Sequence, residues 1–397
     1  MKFLTGLFYA VTATAFAAAK PDVRFGLVDP PPKLAQTVKT RYVKVNGDKL
    51  AYRRFGAKSG ALPVVFLPNF RASMDIADPL LFNYIAESRE VILFDNAGVG
   101  HSEGVVADSI AKQGDTAADF LAAIGVKKAN VFGFSMGGGV AQHVGINYPD
   151  LVEKLVLAGS IIGNGTGTQE VAPGTFEKAR QPEVSLEDIL SLFFYPSETS
   201  EAAGIAWVTR ASERQVKGEN RTASIQEPGT SSHLKAILDF TQNSTYFDQI
   251  KTIKAPVLVT NGKTDVLAPT INSFLLQQQL PNAQLHLYPD SGHGHLFQFP
   301  KQSTSCSDSV PPASSATKSA IAAAAAPVGE MPAAETAVAE APAETEISAN
   351  STKSHARLRA YLITTSQTEI RLSMHLSRVS TAAYLHDARI NGCLMGQ

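Results

Sequence analysis

Ser135 stands at the centre of a Gly-x-Ser-x-Gly pentapeptide, residues 133–137. The apolar run 129–134 contains β-branched and aromatic residues and is typical of a buried strand, whereas the residues of 138–146 are small or apolar at helical spacing. A strand, a sharp turn at a serine and a helix together expose the hydroxyl on a strained turn. The sequence therefore predicts Ser135 as a nucleophile. A plain glycine-rich turn is the alternative interpretation.

A serine hydroxyl becomes nucleophilic when a base removes its proton, and the base needs a third group to orient it. Of nine histidines, His293 is the best candidate because it follows the last predicted strand, in the loop 288–294. Such a loop could carry the imidazole to Ser135; an ordinary loop histidine is the alternative. His295 is two residues away. His143 falls in the helix behind Ser135, where we expect its side chain to point away from the turn and to be a structural or surface histidine.

The third group is expected to be a carboxylate at the end of a strand between the serine and the histidine. Asp265 meets this condition because it follows the apolar strand 257–262. It would fix the tautomer of the imidazole and stabilise its protonated form; a solvated loop carboxylate is the alternative. Asp239 falls in a predicted helix and is expected to be exposed. Asp290 is so close to His293 that we expect it to order the loop instead.

Transfer of an acyl group also needs hydrogen-bond donors for the oxygen that becomes negative. One donor is expected to be the backbone N–H of Met136, at the start of the helix after Ser135. The second should come from the loop 68–71, which follows the apolar run 63–67, and Phe70 is the best candidate there. Both would act through the backbone, so their side chains matter less.

Predicted strands and helices alternate around these residues. The first predicted element is a β-hairpin. Residues 41–45 alternate apolar and charged side chains, as expected of a strand, and Asn46-Gly47 is a strong turn signal. Residues 50–55 form the partner strand. Alternation predicts an α/β fold with a mostly parallel central sheet, helices on both faces, and the site at the carboxyl ends of the strands. Gly114 lies inside the predicted helix 110–124 and weakens that prediction, because glycine is unfavourable in the interior of a helix. Further strands are predicted at 63–67, 91–95, 129–134, 155–159, 257–262 and 283–288, with helices at 110–124, 138–146 and 271–280.

Residues 161–250 interrupt the alternation with helical segments at 186–194, 202–214 and 231–240. An insertion of this length, after the strand that follows the nucleophile, is best explained as a helical cap over the active edge of the sheet. Phe193, Phe194 and Trp207 are candidates to line a substrate pocket under it. The alternative is that these aromatic side chains form a small core of the cap itself.

Composition argues against several other classes of protein. The net charge of −1 gives no electrostatic reason to expect a nucleic-acid partner. Only two cysteines occur, Cys306 and Cys393, and both lie outside the predicted core, so a disulfide framework is not expected. No cluster has the spacing of zinc ligands, and no metal is expected. The sequence carries no signal for the oligomeric state.

The two ends of the chain differ in composition from the middle. Residues 1–19 combine an early lysine, an apolar run and small residues, which predicts a cleaved signal peptide on a secreted or secretory-pathway protein. An uncleaved extension on a cytoplasmic protein is the alternative. The apolar run is too short for a stable membrane span, and four Asn-x-Ser/Thr sites fit a glycoprotein. Residues 301–353 are rich in Ala, Pro, Ser and Glu and predict disorder, and 354–397 show no interpretable motif.

The motifs LPNFRAS, FDNAGVGHS, GFSMGG, NGKTD and DSGHG occur in this order, and together they resemble the α/β-hydrolase superfamily. Within it, the chain is similar to lidded esterases, lactonases and cofactor-free haloperoxidase-type enzymes. The resemblance covers about residues 40–300. It implies Ser135 as nucleophile, Asp265 as acid and His293 as base, with the amides of Phe70 and Met136 as oxyanion hole. It implies no metal or organic cofactor.

Three departures from the family pattern have structural consequences. Pro68-Asn69 replaces the usual His-Gly, which affects the loop at the oxyanion hole. Ala97 stands where the family has an arginine that braces the loop after the fourth strand. The family usually places a closing helix soon after the catalytic histidine, but here the low-complexity residues follow Pro300. Either 354–397 supply that helix, or the face of the sheet is less well covered, or the pattern comes from an incorrectly joined gene model.

These observations predict a serine hydrolase that acts on a carboxylic ester, thioester or lactone of a small organic substrate through an acyl-enzyme at Ser135. A serine at this position argues against haloalkane dehalogenase and epoxide hydrolase chemistry, which uses a carboxylate nucleophile. A lyase or cyclase, or a hydrolytic step on a natural-product intermediate, is the first alternative. A catalytically silent ligand-binding protein of the same fold is the second.

Overall fold

The protein is described by a computed structural model over residues 31–308, with side chains over 31–304. The predicted signal peptide 1–19, most of the predicted disordered segment and the tail 354–397 lie outside these residues. Within them, no helix has the length and apolar character needed to cross a bilayer.

Eight strands form one sheet in the order β1-β2-β4-β3-β5-β6-β7-β8. The hairpin β1–β2 is antiparallel, β2 pairs antiparallel with β4, and the remaining neighbours are parallel. This confirms the predicted fold class. The strands are β1 (Arg41–Val45), β2 (Asp48–Gly56), β3 (Val64–Leu67), β4 (Glu90–Phe94), β5 (Ala129–Phe134), β6 (Val152–Ala158), β7 (Val257–Gly262) and β8 (Ala283–Tyr288).

Helices cover both faces of the sheet. Alternate residues of β3 enter different buried clusters, Val65 and Leu67 on one face and Val64 and Phe66 on the other. Because successive side chains of a strand point to opposite faces, these clusters are the two cores of the domain. The helices outside the insertion are α1 (Leu34–Thr37), α2 (Pro79–Ala86), α3 (Ile110–Ala123), α4 (Met136–Asn147), α10 (Thr270–Gln279), α11 (His295–Gln298) and α12 (Pro300–Asp308).

The insertion between β6 and β7 is helical, as expected of a cap. The helix predicted at 202–214 begins earlier, because the side chain of Ser197 accepts a hydrogen bond from the N–H of Ser200 and caps the first turn. Ser185 caps the preceding helix in the same way. The cap helices are α5 (Thr175–Ala179), α6 (Leu186–Phe193), α7 (Glu198–Ala211), α8 (Gly229–Thr241) and α9 (Ser244–Gln249).

The closing helix lies where the sequence predicted disorder. α12 follows α11 directly and packs against α2, so the prediction of disorder from 301 onward differs from the structure over 301–308. Pro300 provides the fixed φ that suits a first helical position. Ser303 is buried, and its hydroxyl donates to the Tyr288 hydroxyl at 3.3 Å. Packing against the domain therefore outweighs the polar composition of this segment.

Candidate active site

Ser135 occupies the turn between β5 and α4, as the sequence predicted. Its backbone has φ 59° and ψ −120°, a conformation that costs a non-glycine residue free energy. The turn is closed by two glycines. A Cβ on Gly133 would lie 2.2 Å from the Gly137 carbonyl oxygen, and a Cβ on Gly137 would lie 2.0 Å from that of Leu67. The strand, the helix and the loop after β3 therefore approach closely only because these side chains are absent.

The structure brings His293 and Asp265 together. His293 Nδ1 lies 2.7 Å from Asp265 Oδ2, and both side chains are buried. Asp265 Oδ1 accepts hydrogen bonds from the N–H groups of Leu267 and Ala268, each at 2.8 Å. Because both carboxylate oxygens are occupied, Asp265 is held rigidly and fixes the plane of the imidazole.

The other imidazole nitrogen is available for chemistry. His293 Nε2 is buried and has no hydrogen-bond partner within the described part of the chain. A carboxylate at Nδ1 favours the tautomer that leaves a lone pair on Nε2. Ser135 and His293 line the same cavity, although their side chains are not hydrogen-bonded to each other in this structure.

The cap contacts the histidine loop at its backbone. The ring of His293 packs between Phe134, with centroids 4.8 Å apart, and Phe193 at 5.3 Å. The N–H of Gly294 donates to the Phe193 carbonyl oxygen at 2.6 Å. A Cβ on Gly292 would lie 2.9 Å from that same oxygen, so the glycines around His293 admit the end of α6.

The loop after β3 carries the predicted second oxyanion donor, Phe70. The backbone N–H groups of Phe70 and Met136 donate no hydrogen bond to any described residue. Phe70 lines the cavity, and Met136 directly follows Ser135. Two backbone amides that are unpaired beside a serine hydroxyl could stabilise an oxyanion. Phe70 lies in the cavity wall, with its ring 6.3 Å from those of Phe176 and His233.

Arg71 fastens this loop to the cap, a role that the sequence did not indicate. Its φ is 60°, and its N–H donates to His233 Nδ1 at 3.2 Å. The guanidinium donates to four backbone carbonyls of the cap, those of Ile225 at 2.8 Å, Ala179 at 3.0 Å, Gln181 at 2.6 Å and Pro182 at 3.4 Å. Burial lowers the pKa of Arg71 and lowers that of His233 to about 4, so His233 is a neutral acceptor at pH 7.

A cavity of about 130 Å³, here called the inner cavity, lies under the cap beside Ser135. Phe193 and Trp207, two of the candidates for a substrate pocket, line it. Phe194, the third candidate, does not line it. It packs instead against Trp207, with ring centroids 5.9 Å apart, and against the backbone of Gly204. Most of the lining is aliphatic or aromatic, including Ile76, Ile161, Phe176, Ile189, Leu192, Ile237 and Leu267.

A buried polar network lies beside the loop after β4, which carries Ala97 where the family has an arginine. Asp95 accepts from the N–H groups of Met74 at 2.7 Å and His101 at 2.9 Å, and burial raises its pKa to about 6. Next to it, Arg53 lies 2.5 Å from Asp75, and His101 Nε2 lies 2.7 Å from the same carboxylate. Burial opposes ionisation of Asp75, but Arg53 and the hydrogen bonds outweigh it and hold the pKa at about 2.

His143 has a structural role, as expected. Its Nε2 lies 2.8 Å from Asp115 Oδ1, and its Nδ1 lies 3.2 Å from the Tyr246 hydroxyl. A Cβ on Gly114 would lie 2.5 Å from the His143 ring. This explains why α3 contains a glycine in its interior, since α3 and α4 meet at that ring.

The remaining candidates do not belong to the site chemistry. His295 is buried against Thr260 Oγ1 at 3.0 Å, and burial lowers its pKa to about 3. Asp290 accepts a hydrogen bond from Thr199 of the cap rather than from His293. Asp239 is exposed and pairs with Lys235 on the same helix. Among the described residues, no group of three or more His, Cys, Asp or Glu side chains is arranged to hold a metal ion.

The sheet order, the cap and the strained serine turn define a hydrolase of the α/β type. Residues 63–300 match the family model described as alpha/beta hydrolase fold. The chain is 29% identical over 224 residues to the pimeloyl-[acyl-carrier protein] methyl ester esterase of Nitrosomonas europaea, covering 54% of this chain and 82% of the relative. It is 30% identical over 215 residues to 2-hydroxymuconate semialdehyde hydrolase of Pseudomonas putida, covering 52% and 72%.

A solved structure agrees with these sequence relatives. The alpha/beta hydrolase fold protein of Chitinophaga pinensis is 35% identical and superimposes with a TM-score of 0.63, covering 68% of this chain and 96% of that one. The chain belongs to the α/β-hydrolase family.

Proposed function

We propose that this protein is a serine hydrolase that cleaves an ester, thioester or lactone of a small uncharged substrate through an acyl-enzyme at Ser135. The observation that carries the proposal is the buried Asp265–His293 pair, whose imidazole keeps Nε2 free in the cavity that Ser135 also lines. The relatives support the coarser class, since hydrolases recur among them.

The reaction follows from the roles of these atoms. His293 Nε2 removes the proton of the Ser135 hydroxyl as its oxygen adds to the substrate carbonyl carbon, and Asp265 stabilises the resulting imidazolium. The amides of Met136 and Phe70 donate to the oxyanion. The imidazolium then protonates the leaving alcohol or thiol as its bond to carbon breaks. Water, deprotonated by His293, adds to the acyl-enzyme, and the released Ser135 oxygen regains a proton from His293.

The charges of the inner cavity favour an uncharged substrate. Among the described residues that line it, Arg71 carries the one guanidinium, which already donates hydrogen bonds to cap carbonyls. A carboxylate buried in such a cavity would lack a counter-ion, and burial of an unpaired charge is costly. The Pseudomonas putida relative is named for 2-hydroxymuconate semialdehyde, which is anionic. The Nitrosomonas europaea relative is named for a methyl ester, which is a neutral group. The apolar lining and small volume therefore support a compact neutral group of the substrate next to Ser135.

Hydrolysis of short p-nitrophenyl esters, together with labelling by a fluorophosphonate, tests the proposal. Ser135→Ala is expected to abolish labelling and to lower kcat by about 10⁴-fold or more. Ser191→Ala, at an exposed serine of the cap, is the matched control and should behave as the wild type. Equal rates and equal labelling in all three proteins would show that the cavity binds ligands without this chemistry.

A further inference from the structure

The cap is fastened to the domain on the sides that face the catalytic loops. Arg71 holds it beside the oxyanion loop, and the Phe193 carbonyl holds it beside His293. A third attachment joins α7 to α2, where Arg210 contacts both oxygens of the fully buried Asp78 at 2.7 Å. An arginine that makes two hydrogen bonds to one buried carboxylate is a strong local restraint. Lifting the cap from these sides would expose unpaired polar groups.

A second concavity opens on another side, where Asn272 of α10 accepts a hydrogen bond from the N–H of Gln169 at 2.9 Å and donates one to its carbonyl oxygen at 2.8 Å. This outer groove, about 250 Å³ in volume, lies between the cap segment 161–176, the end of α8 and the start of α10. It shares four lining residues with the inner cavity, namely Ile161, Phe176, Ile237 and Leu267. These four apolar side chains border both spaces, so a passage between the spaces requires movement of side chains rather than of the whole cap.

The outer groove differs from the inner cavity in chemistry. Its rim carries side-chain amides and hydroxyls, among them Thr168, Thr241 and Gln242. Glu170 is its one charged side chain among the described residues. A neutral group that accepts and donates hydrogen bonds fits such a surface, whereas an anionic group would meet Glu170 and no cation.

We propose that the outer groove is the route to Ser135 and the binding subsite for the far half of the substrate. On the proposed function, on which this inference rests, the substrate is an ester with two unlike halves. A compact apolar half fills the inner cavity, and a neutral, hydrogen-bonding half remains in the outer groove. The cap stays in place during turnover.

A matched pair of variants tests the subsite. Gln242→Trp places an indole in the outer groove, and Gln249→Trp makes the same change at an exposed position of α9 outside it. The substrates are two reciprocal ester series in which either the acyl or the alcohol half carries a neutral polyether tail. We expect Gln242→Trp to lower kcat/KM for the tailed esters of one series by about ten-fold or more, the effect of an overpacked site. For methyl and acetyl esters, which have no tail, the kcat/KM of Gln242→Trp should fall much less.

A cross-link tests the route. Thr199 and Asp290 touch across the boundary between cap and domain, and neither belongs to the reacting groups. The variant Thr199→Cys/Asp290→Cys, made with Cys306→Ser and Cys393→Ser, is to be joined by a short bifunctional thiol reagent. Tailed esters should be hydrolysed as fast after cross-linking as before.

The outcomes separate this inference from the proposed function. If Ser135 reacts with the fluorophosphonate but Gln242→Trp and Gln249→Trp give the same rates on every ester, the subsite is refuted and the serine hydrolase stands. If cross-linking stops turnover of tailed esters, the cap must lift and the route is refuted. If Ser135 reacts with nothing, the proposed function itself fails.

Discussion

Replacement of His233 by asparagine should change how stability depends on pH. His233 is 3% exposed, and its neutral Nδ1 accepts the N–H of Arg71 at 3.2 Å. The amide oxygen of His233→Asn can take over as acceptor, but the new side chain cannot become charged. The variant therefore removes one buried titration and keeps the hydrogen bond.

The magnitude follows from the pKa of His233, which burial lowers from 6.5 to about 4. Between these pH values the unfolded chain binds a proton that the folded protein does not bind at this site. Stability therefore falls as the pH decreases through this window, by about 3 kcal/mol for this one group. His295 acts in the same direction, with a folded pKa of about 3. Asp95 acts in the opposite direction, because burial raises its pKa to about 6 and the folded protein binds the proton first.

Because these groups oppose one another, the measurement is the difference between two proteins. Urea unfolding at pH 7 and pH 4.5 can be followed by the fluorescence of Trp207, the one tryptophan of the sequence, which stacks on Phe297 at 4.3 Å. Relative to wild type, His233→Asn should gain about 2–3 kcal/mol on going to pH 4.5. His286→Asn, at an exposed position, is the control. Parallel pH dependences of wild type and His233→Asn would refute the reasoning.

Three further changes have defined outcomes. Asp265→Asn should lower kcat on p-nitrophenyl acetate by about 10³- to 10⁴-fold with an unchanged urea midpoint, because the imidazole loses its orienting carboxylate; a normal kcat would contradict the assigned role. Gly114→Ala should destabilise the fold by about 1–3 kcal/mol in urea, because the new Cβ would lie 2.5 Å from His143, and a rise in stability from better helix propensity would show that the ring can move. Arg210→Met should cost about 3–5 kcal/mol, because Asp78 is fully buried and burial already raises its pKa; the thermal midpoint measures it, and a neutral result would mean that Asp78 is protonated.

The sequence predicted the elements that depend on short stretches of chain. Buried strands such as β5 and β7 are continuous apolar runs, and the Asn46-Gly47 turn adopts the positive φ values of 50° and 101° that its residue types favour. The order of Ser135, Asp265 and His293 along the chain was equally readable, since each follows a predicted strand. The structure places Asp265 against His293, which lines the same cavity as Ser135.

Features built from distant residues could not be read in this way. Arg71 and His233 are separated by 162 positions, and no local pattern pairs them. Phe193 and Phe194 are neighbours at the end of α6, yet only Phe193 faces the inner cavity, because the chain leaves the helix between them. α12 is polar in composition and is stabilised by packing against α2, which composition alone does not reveal.

The attachment of Arg71 to the cap affects how this enzyme could be recombined with its relatives. A cap exchanged at its two junctions with β6 and β7 would leave the guanidinium facing carbonyls of a different geometry, and would leave Gly292 and Gly294 facing a different helix end. The cap and the loops after β3 and β8 therefore form one structural unit. A functional chimera must transfer residues 68–73 and 290–295 together with the insertion, although they lie far from it in the chain.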